Sequence, residues 1–298
     1  MTKDLFDIGV WEKAWKEDNE SISNRMKRAG VDPTRSFDHK AKVFDEEVFS
    51  EGGRRRSERI IGWMEEQGVD FAGLSVLDIG AASGGFSVPF AELGAKVTAV
   101  EPNRALADLF EANKARVSAG KPEITLVHEA FEDIDIAARG WEKAFDLVFV
   151  SMCPVIDDWD SVEKLLGCAK QFCYISLMAG ERQHSLLNEV RPLLTGKESH
   201  PDASDMAYLN HLLYLKGYSY QSIISREMKT TELSAETAAH ELMELLKLQQ
   251  LPEDHASRKL VHEYIDRTYP DGKVTVSQGG RFGKVLIRLQ DQNMHSRK

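Results

Sequence analysis

Between residues 75 and 177 the chain alternates short, almost wholly apolar runs with stretches of helical periodicity, a texture that few folds accept. The apolar runs are Ser75–Ile79 (SVLDI), Lys96–Val100 (KVTAV), 124–127, 145–150 (FDLVFV) and 172–177 (FCYISL). Between them Phe86, Phe90 and Leu93, then Leu106, Leu109 and Phe110, then Val162, Leu165, Leu166 and Ala169 recur at helical spacing. Strands this apolar must be buried on both faces, which a parallel sheet covered by helices achieves. Two later runs, 219–229 (SYQSIISREMK) and 282–289 (FGKVLIRL), read as further strands. The expected fold class is α/β: a doubly wound, mostly parallel seven-stranded sheet with N-terminal helices and a late helical insertion.

The flanks are helical. Trp11, Trp15, Ile22 and Met26 form one apolar stripe that Pro33 breaks, and Phe37, Ala41, Phe44 and Val48 form a second. Ile60, Ile61 and Met64 lead to a glycine stop at Gly68. Beyond Gly180, helical patterns cover 182–194, 205–216, 234–248 (Ala238, Leu242, Leu245) and 254–269 (Leu260, Val261, Tyr264, Ile265). The expected organisation is an N-terminal helical lid region over 1–70, then one domain over 71–298 with the insertion at about 232–270.

Composition narrows the function classes. The 298 residues are 42% hydrophobic and 29% charged, ordinary for a globular chain that needs no disulfide or structural metal. Three cysteines (Cys153, Cys168, Cys173) with no CxxC pair argue against a zinc site and fit a reducing compartment. The first twenty residues are strewn with acids and no segment approaches a membrane span, so a cytoplasmic protein without membrane contact is expected. A net charge of −10 disfavours a nucleic-acid partner. The run Arg54–Arg55–Arg56 reads as a solvated helix face.

The sharpest local signal is VLDIGAASGGF (76–86), in which a strand runs into a glycine-rich turn and then a helix. Glycine lets the backbone approach a ligand where a Cβ would obstruct it. At the end of the next strand, AVEPN supplies Glu101, about 20 residues beyond Gly80, the spacing at which an acid meets ribose hydroxyls in doubly wound nucleotide folds. As a dinucleotide loop the turn is a degraded GxAxxG (Gly80, Ala82, Gly85). Against the D/E-x-G-x-G-x-G pattern for S-adenosylmethionine (SAM), Asp78, Gly80 and Gly84 match and Ala82 replaces the middle glycine.

On these motifs the chain resembles the class I (Rossmann-like) SAM-dependent methyltransferase family, small-molecule type, firmly over 71–177 and weakly to the C-terminus. The resemblance implies SAM as cofactor and a cofactor site of Asp78, Gly80, Ala81, Gly84, Glu101, Pro102, Glu129, Ala130 and Ser151. Within it, Glu101 would hold the ribose, Pro102 would pack on the adenine, and Glu129 in HEAFEDI (128–134) would meet the adenine amino group. FDLVFVSMCP (145–154) resembles the fourth-strand motif that ends beside the transferred methyl. The segment 36–48 looks like a helix that closes over the cofactor. Ser151-Met152-Cys153-Pro154 departs from the [DNS]PP[YFW] of amino-methylating nucleic-acid enzymes, so a small-molecule substrate and no nucleic acid are implied.

No residue is marked as a general base by spacing. Asp38, His39, Cys153 and Asp157 are the catalytic candidates, followed by His184, Tyr208 and His211. Asp157, Asp158 and Asp160 read as a solvated helix start and no metal is expected; Asp160 with Glu163 reads as the capping pattern. Trp11, Trp15 and Tyr208 read as packing residues. An NAD(P)-dependent oxidoreductase and a non-catalytic SAM-binding regulator remain as alternatives; the substrate and the oligomeric state are open.

Overall fold

A computed structural model describes residues 4–32, 34–35, 37–180, 183–196, 205–249 and 251–292. Pro33 and Arg182 therefore lie outside the described residues. The chain divides into two compact units: a larger one of 1–177, 208–223 and 284–298, and a smaller one of 178–207 and 224–283.

The larger unit begins with four helices: α1 (Ile8–Glu17), α2 (Ile22–Arg28), α3 (Ala41–Val48) and α4 (Glu51–Glu66). The stripe from Trp11 to Met26 is two helices rather than one, because Ser21 caps α2 by accepting the N–H of Asn24. The sheet then follows in strict alternation: β1 (Ser75–Ile79), α5 (Ser87–Glu92), β2 (Lys96–Val100), α6 (Arg104–Lys114), β3 (Thr125–Val127), β4 (Phe145–Ser151), α7 (Trp159–Cys168) and β5 (Ala169–Met178). Strands β3, β2, β1, β4 and β5 lie side by side, each parallel to its neighbours. Since β2 is on one side of β1 and β4 on the other, strand order reverses between β1 and β4, which places a ligand crevice at their carboxyl ends. Both faces are apolar: Leu77, Leu147, Val148, Phe149 and Ile175 are fully buried, and Phe149 stacks on Tyr174.

Two elements close the N-terminal region onto this unit. Trp15, wholly buried, stacks on Tyr208 of α9 (Asp205–Leu215). Lys216, after α9, binds Glu12 of α1 and Glu163 of α7.

The smaller unit holds β6 (Gln183–His184), α8 (Ser185–Thr195), α10 (Ala235–Leu248) and α11 (His255–Thr268). Strands β7 (Ser219–Ser234) and β8 (Lys273–Arg288) pair with each other and contribute residues to both units. Leu186, Val190, Ala238, Leu242, Leu246, Val261 and Ile265 form the smaller unit's apolar core. Ser234 and Asp254 cap α10 and α11, so those helices start within one residue of where the sequence pattern puts them.

Among the described residues the sheet has eight strands, not seven. The extra strand is β6, too short for any alternation to reveal, pairing antiparallel with β8 through Gln183 and His184. It occupies the start of the segment read as a helix over 182–194. Strand β7 continues past 219–229 to Ser234, and β8 begins at Lys273, ahead of 282–289, because both carry polar residues that an apolar-run criterion stops at.

Candidate functional site

The turn after β1 is built around two close approaches. Gly80 has φ of +69°, and a Cβ there would sit 2.5 Å from Sγ of Cys153. At Gly85 a Cβ would fall 2.3 Å from Cγ1 of Val48, on α3. The turn is pinned to the end of β2, since the N–H groups of Gly80 and Ala81 both donate to the carbonyl of Val100, at 2.9 and 3.1 Å. Gly84 donates back to the Ala81 carbonyl at 2.9 Å, so the loop is a closed backbone ring. Ala82, where the family pattern carries glycine, adopts φ of +50° regardless. An L-residue pays about 1 kcal/mol for that left-handed conformation.

Two buried carboxyls flank the turn. Asp78, on β1, is 2% exposed and accepts the hydroxyl of Ser87 at 2.6 Å. Burial pushes its pKa up to about 7, with the charge of Glu101 adding to the rise and the Ser87 hydrogen bond opposing it. Glu101 is 5% exposed, and its two oxygens accept the N–H of Ala82 at 2.8 Å and of Asn103 at 2.7 Å. Burial raises its pKa too, against those backbone hydrogen bonds. Each carboxylate oxygen has two acceptor sites, so both oxygens of Glu101 can still take a ligand hydroxyl. In the same loop Ser83 is fully buried and its Oγ has no hydrogen-bond partner.

The neighbouring strand ends complete the edge. Glu101 donates its N–H to the Val127 carbonyl, which sets Pro102 beside His128, and the His128 ring donates from Nε2 to the Pro102 carbonyl at 3.0 Å. Ala130 leads into a single 3-10 turn over Phe131–Asp133. Glu129 forms an ion pair with Arg139 and its side chain is about half exposed. On the other side, Ser151 at the end of β4 meets Ser176 of β5, with 3.0 Å between the hydroxyl oxygens. Met152 follows with φ of +55° and turns the chain back so that Cys153 covers Gly80. The Cys153 thiol is pushed up to about 12, chiefly by burial, so it stays protonated and is no nucleophile at neutral pH.

Sequence reasoning missed the groups that join the N-terminal segment to this edge. Asn103, just past Glu101 and Pro102, caps α6 by accepting the N–H of Leu106. Its amide nitrogen donates to the Thr34 carbonyl at 2.8 Å and to Asp38 at 2.7 Å. One helix length on, the Asn113 amide donates to Asp45 of α3 at 2.7 Å and to the Ser83 carbonyl at 2.9 Å. A signal for Asn113 exists: it continues the stripe of Leu106, Ala107 and Phe110, where a polar residue is out of place on an apolar face.

The cofactor residues named from the sequence thus gather at one edge, where the candidate Cys153 lies against Gly80 and Asp38 is held by Asn103, while the remaining catalytic candidates are exposed or paired with other groups. Asp38 is bound by Asn103 and Arg35, and His39 is exposed. Asp157 pairs with Lys27 at 3.2 Å. Asp158 and Asp160 both pair with Lys16. The cap of α7 is Asp158 with Ser161, not Asp160 with Glu163; the helix starts two residues earlier than that pattern requires. His184 caps α8, and His211 donates to the Leu5 carbonyl at 2.9 Å. Arg54 and Arg55 lie on the exposed face of α4. Among the described residues no cluster of three or more His, Cys, Asp or Glu could hold a metal. No described helix is long and apolar enough to cross a membrane.

Residues 77–173 match the family model described as a methyltransferase domain, from the first strand through the fifth. An uncharacterized protein of Haemophilus influenzae is 30% identical over 146 residues, 48% of this chain. That match covers 50% of the relative, so the chain spans about half the length of the curated protein it resembles. Among solved structures, magnesium protoporphyrin IX methyltransferase from Synechocystis with bound SAH is 14% identical, with a TM-score of 0.49 over 65% of this chain and 93% of that one. The YcgJ protein of Bacillus subtilis is 14% identical, with a TM-score of 0.48 over 79% of this chain and 100% of that one.

Proposed function

We propose that this chain, which carries a methyltransferase domain over residues 77–173, transfers the methyl group of SAM to a small-molecule acceptor in the cytoplasm. The observation that carries the reading is Glu101: a buried carboxylate fixed by two backbone N–H groups at the end of β2, facing a turn in which a Cβ on Gly80 would not fit. Glu101 holds the ribose hydroxyls, and Pro102 and Ala130 flank the adenine. The turn of Gly80, Ala81 and Gly84 carries the amino-acid end, with Asp78 behind it. Glu129 is available to the adenine amino group once it exchanges Arg139 for that partner.

When bound, SAM supplies a methyl already activated by its sulfonium, so the protein's work is positioning and exclusion of water. Ser151 and Ser176 present a hydroxyl pair at the ends of β4 and β5, neutral groups that can orient an acceptor atom. Cys153, protonated, closes the floor under Gly80. Of the two buried carboxyls beside the turn, Asp78 is tied to Ser87 and Glu101 to backbone N–H groups, so neither stands ready as a strong base. An acceptor that arrives as a free amine or another neutral nucleophile suits that environment best.

Calorimetric titration with SAM and with its demethylated product SAH, using NADH as control, tests the cofactor. Saturable binding of both sulfur ligands with none of NADH is expected. Binding of NADH alone would make the turn a dinucleotide site and overturn the proposal.

A further inference from the structure

We infer that the outer edge of β7 is an interaction surface for a second copy of this chain, the two copies pairing β7 against β7 about a two-fold axis at Met228.

The sheet ends on one side in β3, whose three residues are too few to template another strand. Strand β7 is different. It is 16 residues long, and among the described residues β8 is its one strand partner. From Ile224 to Ser234 it belongs to the smaller unit, as does β8 up to Gly283. At Gly279 the two strands come so close that a Cβ there would overlap the Glu227 carbonyl oxygen, so that oxygen is turned toward β8. The alternation of a strand then turns the N–H and C=O of Met228 to the other edge. A row of such groups is a template for a further strand. No proline interrupts it, and Ile224 and Met228 are 45% and 39% exposed.

Charged residues on an edge strand normally keep other strands away. Here their order does the opposite. A two-fold axis that continues the sheet stands perpendicular to it, so side chains that point up in one copy point up in the other. Side chains alternate along a strand, and facing residues must point the same way. The axis therefore falls at a residue, which faces its own copy. With Arg226, Glu227 or Lys229 on the axis, a like charge faces itself, which is destabilising. With Ser225 or Thr230 there, no two charges face each other. Met228 is the centre that sets Glu227 of each copy opposite Lys229 of the other. It also brings the two exposed Met228 side chains together, and Arg226 lies diagonal to Glu232 of the second copy. The result is one continuous sheet, β6–β8–β7–β7–β8–β6.

Sedimentation of the full chain, with and without charge exchange, tests the pairing. The parent should be a dimer in a concentration-dependent equilibrium. Glu227→Lys sets lysine opposite lysine at two places and should weaken the dimer about tenfold. Glu227→Lys/Lys229→Glu exchanges the two charges and should restore most of that loss, which a general change in net charge would not do. Met228→Cys puts two Cα atoms about 5.5 Å apart, within reach of a disulfide, so mild oxidation should give a covalent dimer. Thr230→Cys faces Arg226 and should not cross-link. The parent is the control, with Cys168 and Cys173 buried and Cys153 partly so. A parent that stays monomeric at its highest soluble concentration leaves this edge to another occupant or to none, and overturns the proposal. So does a dimer that Glu227→Lys leaves unchanged, or one in which Met228→Cys forms no cross-link, since the copies would then meet elsewhere.

Discussion

The carboxyl edge of the larger unit buries polar groups, while the helical core of the smaller unit buries almost none. Around the glycine turn, Asp78, Ser83, Ser87, Glu101, Asn103 and Asn113 are all buried within one short stretch of structure. Ala82 and Met152 hold left-handed conformations beside them. In the smaller unit, leucines, valines and alanines of α8, α10 and α11 meet each other, and the polar residues serve as helix caps. The second arrangement is what stability by itself selects. The first costs free energy that folding does not return, and such costs concentrate where a ligand is to be met.

The contrast can be broken most forcefully in the apolar core. Leu242→Ala should cost about 2–5 kcal/mol of stability, the usual price of a core cavity, and leave SAM affinity unchanged in protein that remains folded. Chemical denaturation and calorimetry on one preparation read both quantities; a large affinity change would show that the smaller unit is not merely structural. Next comes Glu101→Ala, which should weaken SAM binding by about 1.5–3 kcal/mol, the worth of hydrogen bonds to a charged group, with the fold retained. Unchanged affinity would remove the ribose assignment.

A third effect is electrostatic. Asp78 ionises at about 7 in the folded protein against 3.8 for its ordinary value, so folding favours its protonated form. The stability this contributes is complete below pH 4 and is lost as pH rises through 7. Glu101 shifts in the same direction. Asp78→Asn should therefore flatten the fall in stability between about pH 4 and pH 7, by no more than about 1.4 kcal/mol per pH unit, as read from denaturation midpoints. A variant with the parent's slope would mean that other groups set it. The smallest change is Ala82→Gly, which should stabilise by about 0.5–1 kcal/mol through relief of the left-handed alanine. A loss of thermal stability in that variant would mean that the Ala82 methyl packs better than its backbone suffers.

Much of the edge was legible because its residue types are chemically forced. Gly80 cannot carry a side chain under Cys153, and Glu101 is set by the distance from one strand end to the next. Helices α10 and α11 were legible for a different reason, since Ser234 and Asp254 announce their starts. Residue type by itself did not show what the catalytic candidates bind: Asp38 accepts from the Asn103 amide, Asp157 pairs with Lys27, His184 caps α8 and His211 donates to the Leu5 carbonyl. Neither β6, nor the end of β7, nor the first half of β8 carried a pattern strong enough to separate from loop or helix.

The sequence alone determined the order of strands and helices from Ser75 to Met178, the turn between β1 and α5, and the two acids beside it. Those follow from local rules: apolar periodicity, the backbone freedom of glycine, and the fixed rise of a strand. Only the tertiary structure decided that Cys153 lies on Gly80, that Val48 fills the space above Gly85, and that Asn103 and Asn113 hold Asp38 and Asp45. The residues in each of those contacts are about 37 to 73 positions apart along the chain, and a hydrogen bond or a van der Waals contact carries no trace of such a partner in the residues on either side.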